Sequence, residues 1–487
     1  MTALDIVALK PIITLTIFTV AVMLVIAFCR HHGLVVLWTL AGLALSFAAL
    51  PLAAHVAPRT VTPLLVLDHY ALLYMGLIFI ASFAVTLLSY NYLEGRQRHP
   101  EELYLLLLLA TLGAVVLASS RHFAAFFLGL ELLSVSLFPM IAYSTGRQRA
   151  LEGGVKYLVL SGVASPFLLF GIALIYAELG TLEFARLGEL LTAQAYPASV
   201  YLLTGLVMLV VGIGFKLSVV PFHLWTPDVY EGAPAPVTAF LATVSKGAMF
   251  ALLLRFFVVT EGYQSGPLLL IFSLIAIASM LIGNLLALLQ DNVKRILAYS
   301  SIAHLGYLLV AFLVGGALAV EAVSFYLVAY FVTTLGAFGI VTLLSSLSSD
   351  AERDADVLSD YQGLFWQRPW LAGVFTAMLL SLAGIPLTAG FVGKFYLFAA
   401  GVEGALWLLL IVLVIGSAIG LFYYLRIVVV MYRSPPEGAM ESSAVHPSFA
   451  TLAGGVALAA LTLSLVWLGV YPGPVIDIIH ATVVLLG

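Results

Sequence analysis

Three lysines, Lys216, Lys246 and Lys394, stand deep inside long apolar runs, and a fourth, Lys156, lies near the start of another. An ammonium group at the centre of a bilayer costs roughly 2.5–3.5 kcal/mol on insertion scales, so it is kept only where it faces protein, water or a carboxylate. Burial also disfavours the charged form and brings proton loss toward the physiological range. A buried lysine beside an acid therefore takes up or releases a proton in response to small changes around it, as a proton relay requires. Glu131, in FFLGLELLSVSLF, is the only acid in its run and the natural partner for one of these lysines. A single buried Lys–Glu pair can also simply tie two helices together. Three central lysines with one acid favour a proton path. His304, in YSSIAHLGYLL, and His223, shortly after Lys216, add imidazoles whose ordinary pKa of about 6.5 suits proton transfer. The bland alternative for each is a hydrogen bond between helices, and for Lys156 it is an ammonium extended to the nearer membrane surface.

The residues around two of the lysines break their helices. In GIGFKLSVVPFHLWTPDVY, Pro221 cannot donate a backbone hydrogen bond and clashes with the carbonyl of Leu217, while Gly212 and Gly214 loosen the preceding turn. In SLAGIPLTAGFVGKFYLF, Pro386, Gly384, Gly390 and Gly393 act in the same way beside Lys394. Broken helices at membrane depth line cavities and mark transport sites, although Pro and Gly also serve as packing kinks.

The elements that must position these groups are transmembrane helices. Of 487 residues, 63% are hydrophobic and 9% charged, far below the roughly 25% charge of a soluble protein. The net charge of -4 gives no reason to expect nucleic acid. One cysteine, Cys29, excludes an internal disulfide and an iron–sulfur cluster held by this chain's own thiolates. No metal-ligand spacing, haem-attachment motif or dinucleotide fingerprint is present, so any electron transfer belongs to another chain. Apolar runs of spanning length predict about fourteen helices, near 11–28, 34–54, 70–91, 103–119, 122–143, 153–177, 200–220, 234–259, 267–289, 296–315, 320–346, 370–399, 404–431 and 449–470. The first, with bulky Phe28 before Cys29, is expected to be a retained span rather than a cleaved signal. Longer charged loops fall near 347–368 and 432–448. One side of the spans holds eleven Lys and Arg, among them Arg96, Arg98, Arg147, Arg149 and Lys294; the other holds five, among them Arg59, Arg121 and Arg255. That excess predicts a cytoplasmic first side and an external N-terminus.

Spans four to eight and nine to thirteen read as two copies of one unit. Arg121 precedes Glu131 by ten residues, as Lys294 precedes His304. Glu152 with Tyr157-Leu158 opens the sixth span, and Glu321 with Tyr326-Leu327 opens the eleventh. Five spans is an odd number, so the second copy is inverted and the two supply one half-channel to each side. The expected divisions are a three-helix segment at 1–102, a first repeat at 103–260, a second, inverted repeat at 261–432, and a C-terminal loop and last helix at 433–487.

The strings PFHLWTPDVYEGAPAPVTAFLATVSK (221–246), KRILAYSSIAHLGY (294–307) and LSLAGIPLTAGFVGKFY (380–396) resemble the antiporter-like, proton-translocating membrane subunits of respiratory complex I, an NADH:quinone oxidoreductase. Lysine rather than glutamate at 394, the length and the lack of a long C-terminal lateral helix resemble the NuoN type. The resemblance implies an all-α fold of fourteen helices with two inverted five-helix repeats, broken at the seventh and twelfth. It implies that Glu131 pairs with Lys216, that Lys246 relays through His304, and that Lys394 serves the channel to the outside. Lys156 is polar in that family with a less defined role. It further implies a cell inner membrane location and neighbouring membrane-arm subunits, including a second antiporter-like one. NADH, FMN, iron–sulfur clusters and quinone would act on partner chains, with none held here. A subunit of an Mrp-type cation/proton antiporter shares these features and is the second reading. A structural scaffold whose lysines only join helices is the third.

Overall fold

The computed structural model describes residues 2–483 apart from 95, 98, 145, 193–198, 348–352 and 436–448. Arg98 and parts of both charged loops therefore lie outside the described residues.

Helices α1 (Ala3–Phe28), α2 (His32–Ala48) and the short α3 (Leu50–Ala54) open the chain. An antiparallel hairpin, β1 (Arg59–Val61) and β2 (Leu65–Leu67), leads into α4 (His69–Leu93). There follow α5 (Glu101–Ala118), α6 (Phe123–Ile141), α7 (Gln148–Leu179), α8 (Phe184–Thr192), α9 (Val200–Leu217) and α10 (Trp225–Gly232). Helix α11 (Ala235–Phe240) runs through a π-turn at Leu241–Ser245 into α12 (Lys246–Val259). The remainder comprises α13 (Gly266–Leu288), α14 (Val293–Val314), α15 (Gly316–Leu347), α16 (Leu364–Gln367), α17 (Pro369–Ala383) and α18 (Ala389–Glu403). Helices α19 (Trp407–Tyr432), α20 (Phe449–Val470) and α21 (Gly473–Val483) close the chain.

Among the described residues, thirteen helices are long and apolar enough to cross a membrane, taking α2 with α3 and α11 with α12 as single spans. The run expected as a span at 370–399 is instead two fifteen-residue helices, α17 and α18, separated at 384–388. The sequence reading did not anticipate the β-hairpin, the π-turn or α21. Helices α11–α12, α14 and α15 form the buried centre, whereas α1 and α7 present Ile17, Leu24, Val159 and Phe170 outward, as lipid contact demands.

Both breaks follow from local chemistry. Helix α9 stops at Leu217 because Ser218 takes a left-handed conformation (φ 61°) ahead of Pro221. The carbonyl of Phe215 accepts from the Ser218 backbone N–H at 3.0 Å and from the indole Nε1–H of Trp225 at 3.1 Å. Helix α17 stops at Gly384 (φ 87°), a position where a β-carbon would be strained. Helix α18 restarts at Thr388, whose side chain accepts from the Phe391 amide.

The starts of α6 and α14 are held alike. Phe123 and Phe184 donate backbone N–H groups to Leu182 and Arg121, while Val293 and Leu358 donate to Asp356 and Asp291. In each case the residues before a helix bridge to the segment after the next long helix. Each bridge also carries an ion pair, Arg121–Glu183 at the first and Lys294–Asp354 at the second.

Two basic residues assigned to loops from sequence are interior. Lys294 is fully buried and donates to the carbonyls of Glu231 and Ala233 and to Asp354 (2.9, 2.6 and 2.9 Å). Arg255 grips Asp68 through two hydrogen bonds of 2.6 and 2.8 Å. Asp354 also accepts from Arg147 and Tyr92, so the loop after α15 is latched onto α4, α14 and the start of α7. Burial pushes the Asp354 carboxyl up, but Lys294 and Arg147 overcome this and hold it well below the usual carboxylate range.

Candidate functional site

The first lysine centre is built on α6, α7 and α9. Lys216 occupies the last turn of α9, where the helix dipole favours a cation. Its Nζ donates to the hydroxyls of Ser134 and Ser161, both at 2.7 Å, and lies 5.8 Å from the ring centres of Tyr157 and Phe215. Glu131 accepts instead from Ser165 at 2.6 Å. The expected Glu131–Lys216 pair is therefore not a direct ion pair. The two groups sit one helical turn apart on facing ladders, Glu131 and Ser134 on α6 against Ser165 and Ser161 on α7.

Lys246 begins α12, directly after the π-turn, a distortion that recurs at functional sites. It is 1% exposed, and its Nζ donates to Ser301 of α14 at 2.8 Å. Ser301 also accepts from the Tyr330 hydroxyl at 2.7 Å. The ring of Tyr230 lies 5.1 Å from the ammonium. One turn beyond Ser301, His304 is buried with Nδ1 2.6 Å from the Tyr326 hydroxyl and Nε2 3.2 Å from that of Tyr424. Tyr424 in turn meets Ser300.

Lys394 follows the second break and reaches back across it. Its Nζ donates to the last carbonyl of α17, Ala383, and to Ser417 of α19, each at 2.8 Å. That carbonyl end of a half-helix is a favourable seat for a cation. A small cavity of about 10 Å³, lined by His304, Tyr326, Tyr330 and Lys394 among others, joins this lysine to the histidine. It is about the size of one water.

The structure thus links Lys246 to the α14 turn that carries His304, and His304 to Lys394 across the small cavity, while Glu131 and Lys216 form their own cluster on α6, α7 and α9. The gap between Lys216 and Lys246 is flanked by Tyr157 and Tyr230. Along the break between them Ser218 Oγ, His223 Nδ1, Thr226 Oγ1 and Tyr230 Oη are buried without a hydrogen-bond partner. His223 therefore lies in the break but touches neither lysine.

Lys156 is placed differently from the other three. It is partly exposed and ion-paired with Glu152 (2.6 Å) and Asp228 (2.7 Å). Arg295 adds contacts to Asp228 and Glu231 (2.8 and 2.9 Å), around a polar cavity of about 140 Å³. Of the serines and tyrosines around the lysines and His304, the sequence reading names only Tyr157 and Tyr326, and those as markers of the repeat. The signal for the rest was present in the i, i+4 spacing of Ser161 and Ser165 and in the paired tyrosines Tyr326 and Tyr330, i, i+4 on α15.

Residues 120–420 match the family described as "NADH:quinone oxidoreductase/Mrp antiporter, TM". The chain is 56% identical over 485 residues to NADH-quinone oxidoreductase subunit N of Nitrosospira multiformis, covering 98% of this chain and 96% of that one. A chain of respiratory complex I from Thermus thermophilus with bound aureothin superposes with a TM-score of 0.80 at 33% identity, covering 96% of this chain and 98% of that one. A chain of the Mrp complex from Dietzia sp. DQ12-45-1b superposes with a TM-score of 0.85 at 20% identity, covering 100% and 98%, a likeness of fold.

Proposed function

The chain belongs to the family of NADH-quinone oxidoreductase subunit N, and from that premise we propose that it carries protons across the membrane along Glu131, Lys216, Lys246, His304 and Lys394. It is a multi-pass, antiporter-like subunit of a proton-translocating oxidoreductase whose redox cofactors reside on other subunits.

One observation carries the relay. Lys216, Lys246 and Lys394 are held by hydroxyls and a backbone carbonyl, with no carboxylate in ion-pair contact, whereas Lys156 and Lys294 are ion-paired. A carboxylate partner fixes the ammonium form. A hydroxyl accepts from an ammonium and donates to a neutral amine, so it accommodates both states. Such partners suit a lysine that changes its protonation state, whereas a carboxylate would hold it in one.

The break in the seventh span, with its unpartnered Ser218, His223, Thr226 and Tyr230, serves the half-channel around Lys216 and Lys246. The cavity between His304 and Lys394 serves the other. The matching bridges at α6 and α14 support two repeats at 103–260 and 261–432, flanked by segments 1–102 and 433–487. The excess of basic residues on one side supports an external N-terminus, and the relatives support a cell inner membrane. Membrane-arm partners include a second antiporter-like subunit, with NADH, FMN, iron–sulfur clusters and quinone handled beyond this chain. Lys156 belongs to the polar mouth rather than the relay.

The Mrp-type reading shares the family description and the fold, but at 20% identity against 56% for subunit N. Purification through a tag on this chain distinguishes the two. NADH:quinone oxidoreductase activity with flavin and iron–sulfur signals is expected in the eluate. A cation/proton antiport complex free of flavin would replace this reading.

A further inference from the structure

A carboxylate and an imidazole that the relay does not use meet at the end of α15 remote from Asp354. That is the side which the basic-residue bias assigns to the outside. Glu321, in the second turn of α15, is 18% exposed, and its Oε1 lies 2.5 Å from Nδ1 of His480 on α21. The His480 ring is 67% exposed, so the pair has one member turned inward and one turned to the surface.

An apolar plug separates this pair from Lys394. Phe325, one turn beyond Glu321 on α15, packs with Ala389, Leu468 and Ile479, and Ile479 directly precedes His480. The Glu321–His480 contact thus fixes α21, with Ile479, over Phe325. Tyr396, two residues beyond Lys394 on α18, brings a hydroxyl to the plug. Its ring centre is 5.5 Å from that of Phe325, and it feels the charge of Glu321. On the inner side the backbone of Gly393 packs against Tyr326, which sets Lys394 level with that tyrosine. Five residues of α15 separate Tyr326 from Glu321, about 7.5 Å at 1.5 Å per residue. A tyrosine hydroxyl and a bridging water span such a distance.

We propose that Glu321 receives the proton that leaves Lys394 for the outside, and that His480 passes it to water. The assignment rests on Lys394 being a relay lysine. The Lys394 ammonium gives up an N–H bond, Tyr396 accepts that proton through water and hands on its own, and the Glu321 carboxylate gains an O–H bond. The proton then enters the His480 ring at Nδ1 while another leaves from Nε2 to the surface. Lys394 is left as a neutral amine, to be refilled from the His304 side. A carboxylate set beyond an apolar plug takes the proton without pinning Lys394 in its charged form, as a direct ion pair would.

The test uses the intact complex in proteoliposomes, with assembly checked on a native gel and Lys394→Ala measured alongside. A contact that only clasps α21 survives in Glu321→Gln, which keeps a hydrogen-bonding group of the same size, whereas a proton acceptor does not. Glu321→Gln is therefore expected to lower proton pumping about tenfold or more, and Glu321→Asp to recover most of the loss. Tyr396→Phe keeps the packing and removes the hydroxyl, and should lower pumping about threefold or more. It decides the case should Glu321→Gln not assemble. In both slowed variants the ratio of rates in light and heavy water should rise above that of wild type, because proton release has become limiting. Wild-type pumping in Glu321→Gln or Tyr396→Phe, or an unchanged isotope ratio, with Lys394→Ala slow, would overturn the proposal and leave the relay standing. Wild-type pumping in Lys394→Ala would instead remove the relay on which it rests.

Discussion

Lys216 and Glu131 face each other across α6 and α7 without touching. The ammonium is held by Ser134 and Ser161, and the carboxylate by Ser165. Their coupling is therefore electrostatic and through space, not a hydrogen-bonded ion pair. Glu131→Gln is expected to slow coupled NADH oxidation and proton pumping about tenfold or more, with the complex still assembled on a native gel. A wild-type rate in assembled Glu131→Gln would show that the carboxylate has no part in the path.

Ser301 joins Lys246 to Tyr330. Ser301→Ala leaves two buried polar groups without a partner, at about 1–3 kcal/mol each. Tyr330→Phe removes one contact and leaves Lys246 held. Pumping rates should therefore rank wild type, Tyr330→Phe, Ser301→Ala, with about a tenfold fall at the end of the series. A reversed order would mean that Tyr330, not Ser301, holds the lysine in its working position.

Asp354 anchors the loop after α15 through Lys294 and Arg147. Asp354→Asn leaves the buried Lys294 ammonium without its carboxylate and removes one of the groups that hold Arg147, a loss of about 3 kcal/mol of stability. Thermal unfolding of the solubilised complex measures it. The native carboxyl lies below its unfolded value, which is about 3.9. Its stabilisation is therefore complete above that pH and is lost as pH falls through the native value. Wild-type melting should show no loss from this group between pH 7 and pH 5. Equal melting temperatures for Asp354→Asn and wild type at pH 7 would remove the latch from the account.

Lys156 shares Asp228 with Arg295 at a partly exposed site. Such pairs contribute about 0–1 kcal/mol, so Lys156→Ala should keep pumping within about threefold of wild type. A loss as deep as that of Lys216→Ala would return Lys156 to the relay.

Much of this organisation is legible in the sequence, because hydrocarbon imposes simple rules. The apolar runs mark the spans, Pro221 and Pro386 mark the breaks, and the lysines stand out because charge is costly there. The π-turn before Lys246 is not legible, since LATVS holds no Gly or Pro to announce it. Nor is the burial of Lys294 and Arg255, which stand at helix ends where basic residues normally meet water. Their acids, Asp354 and Asp68, lie 60 and 187 residues away along the chain. The serines set between Glu131 and Lys216 are not legible for a related reason. Opposite charges suggest contact, and the serines that intervene carry no charge to signal their part.

The most direct test of the relay is quinone-dependent NADH oxidation, measured with proton pumping, in membranes carrying Lys216→Ala whose assembly is verified on a native gel. The account predicts that both activities fall together while assembly holds, because oxidation is coupled to proton passage through this lysine. Full oxidation and pumping in the assembled variant would contradict it and leave Lys216 as a hydrogen-bonded tie between α6, α7 and α9.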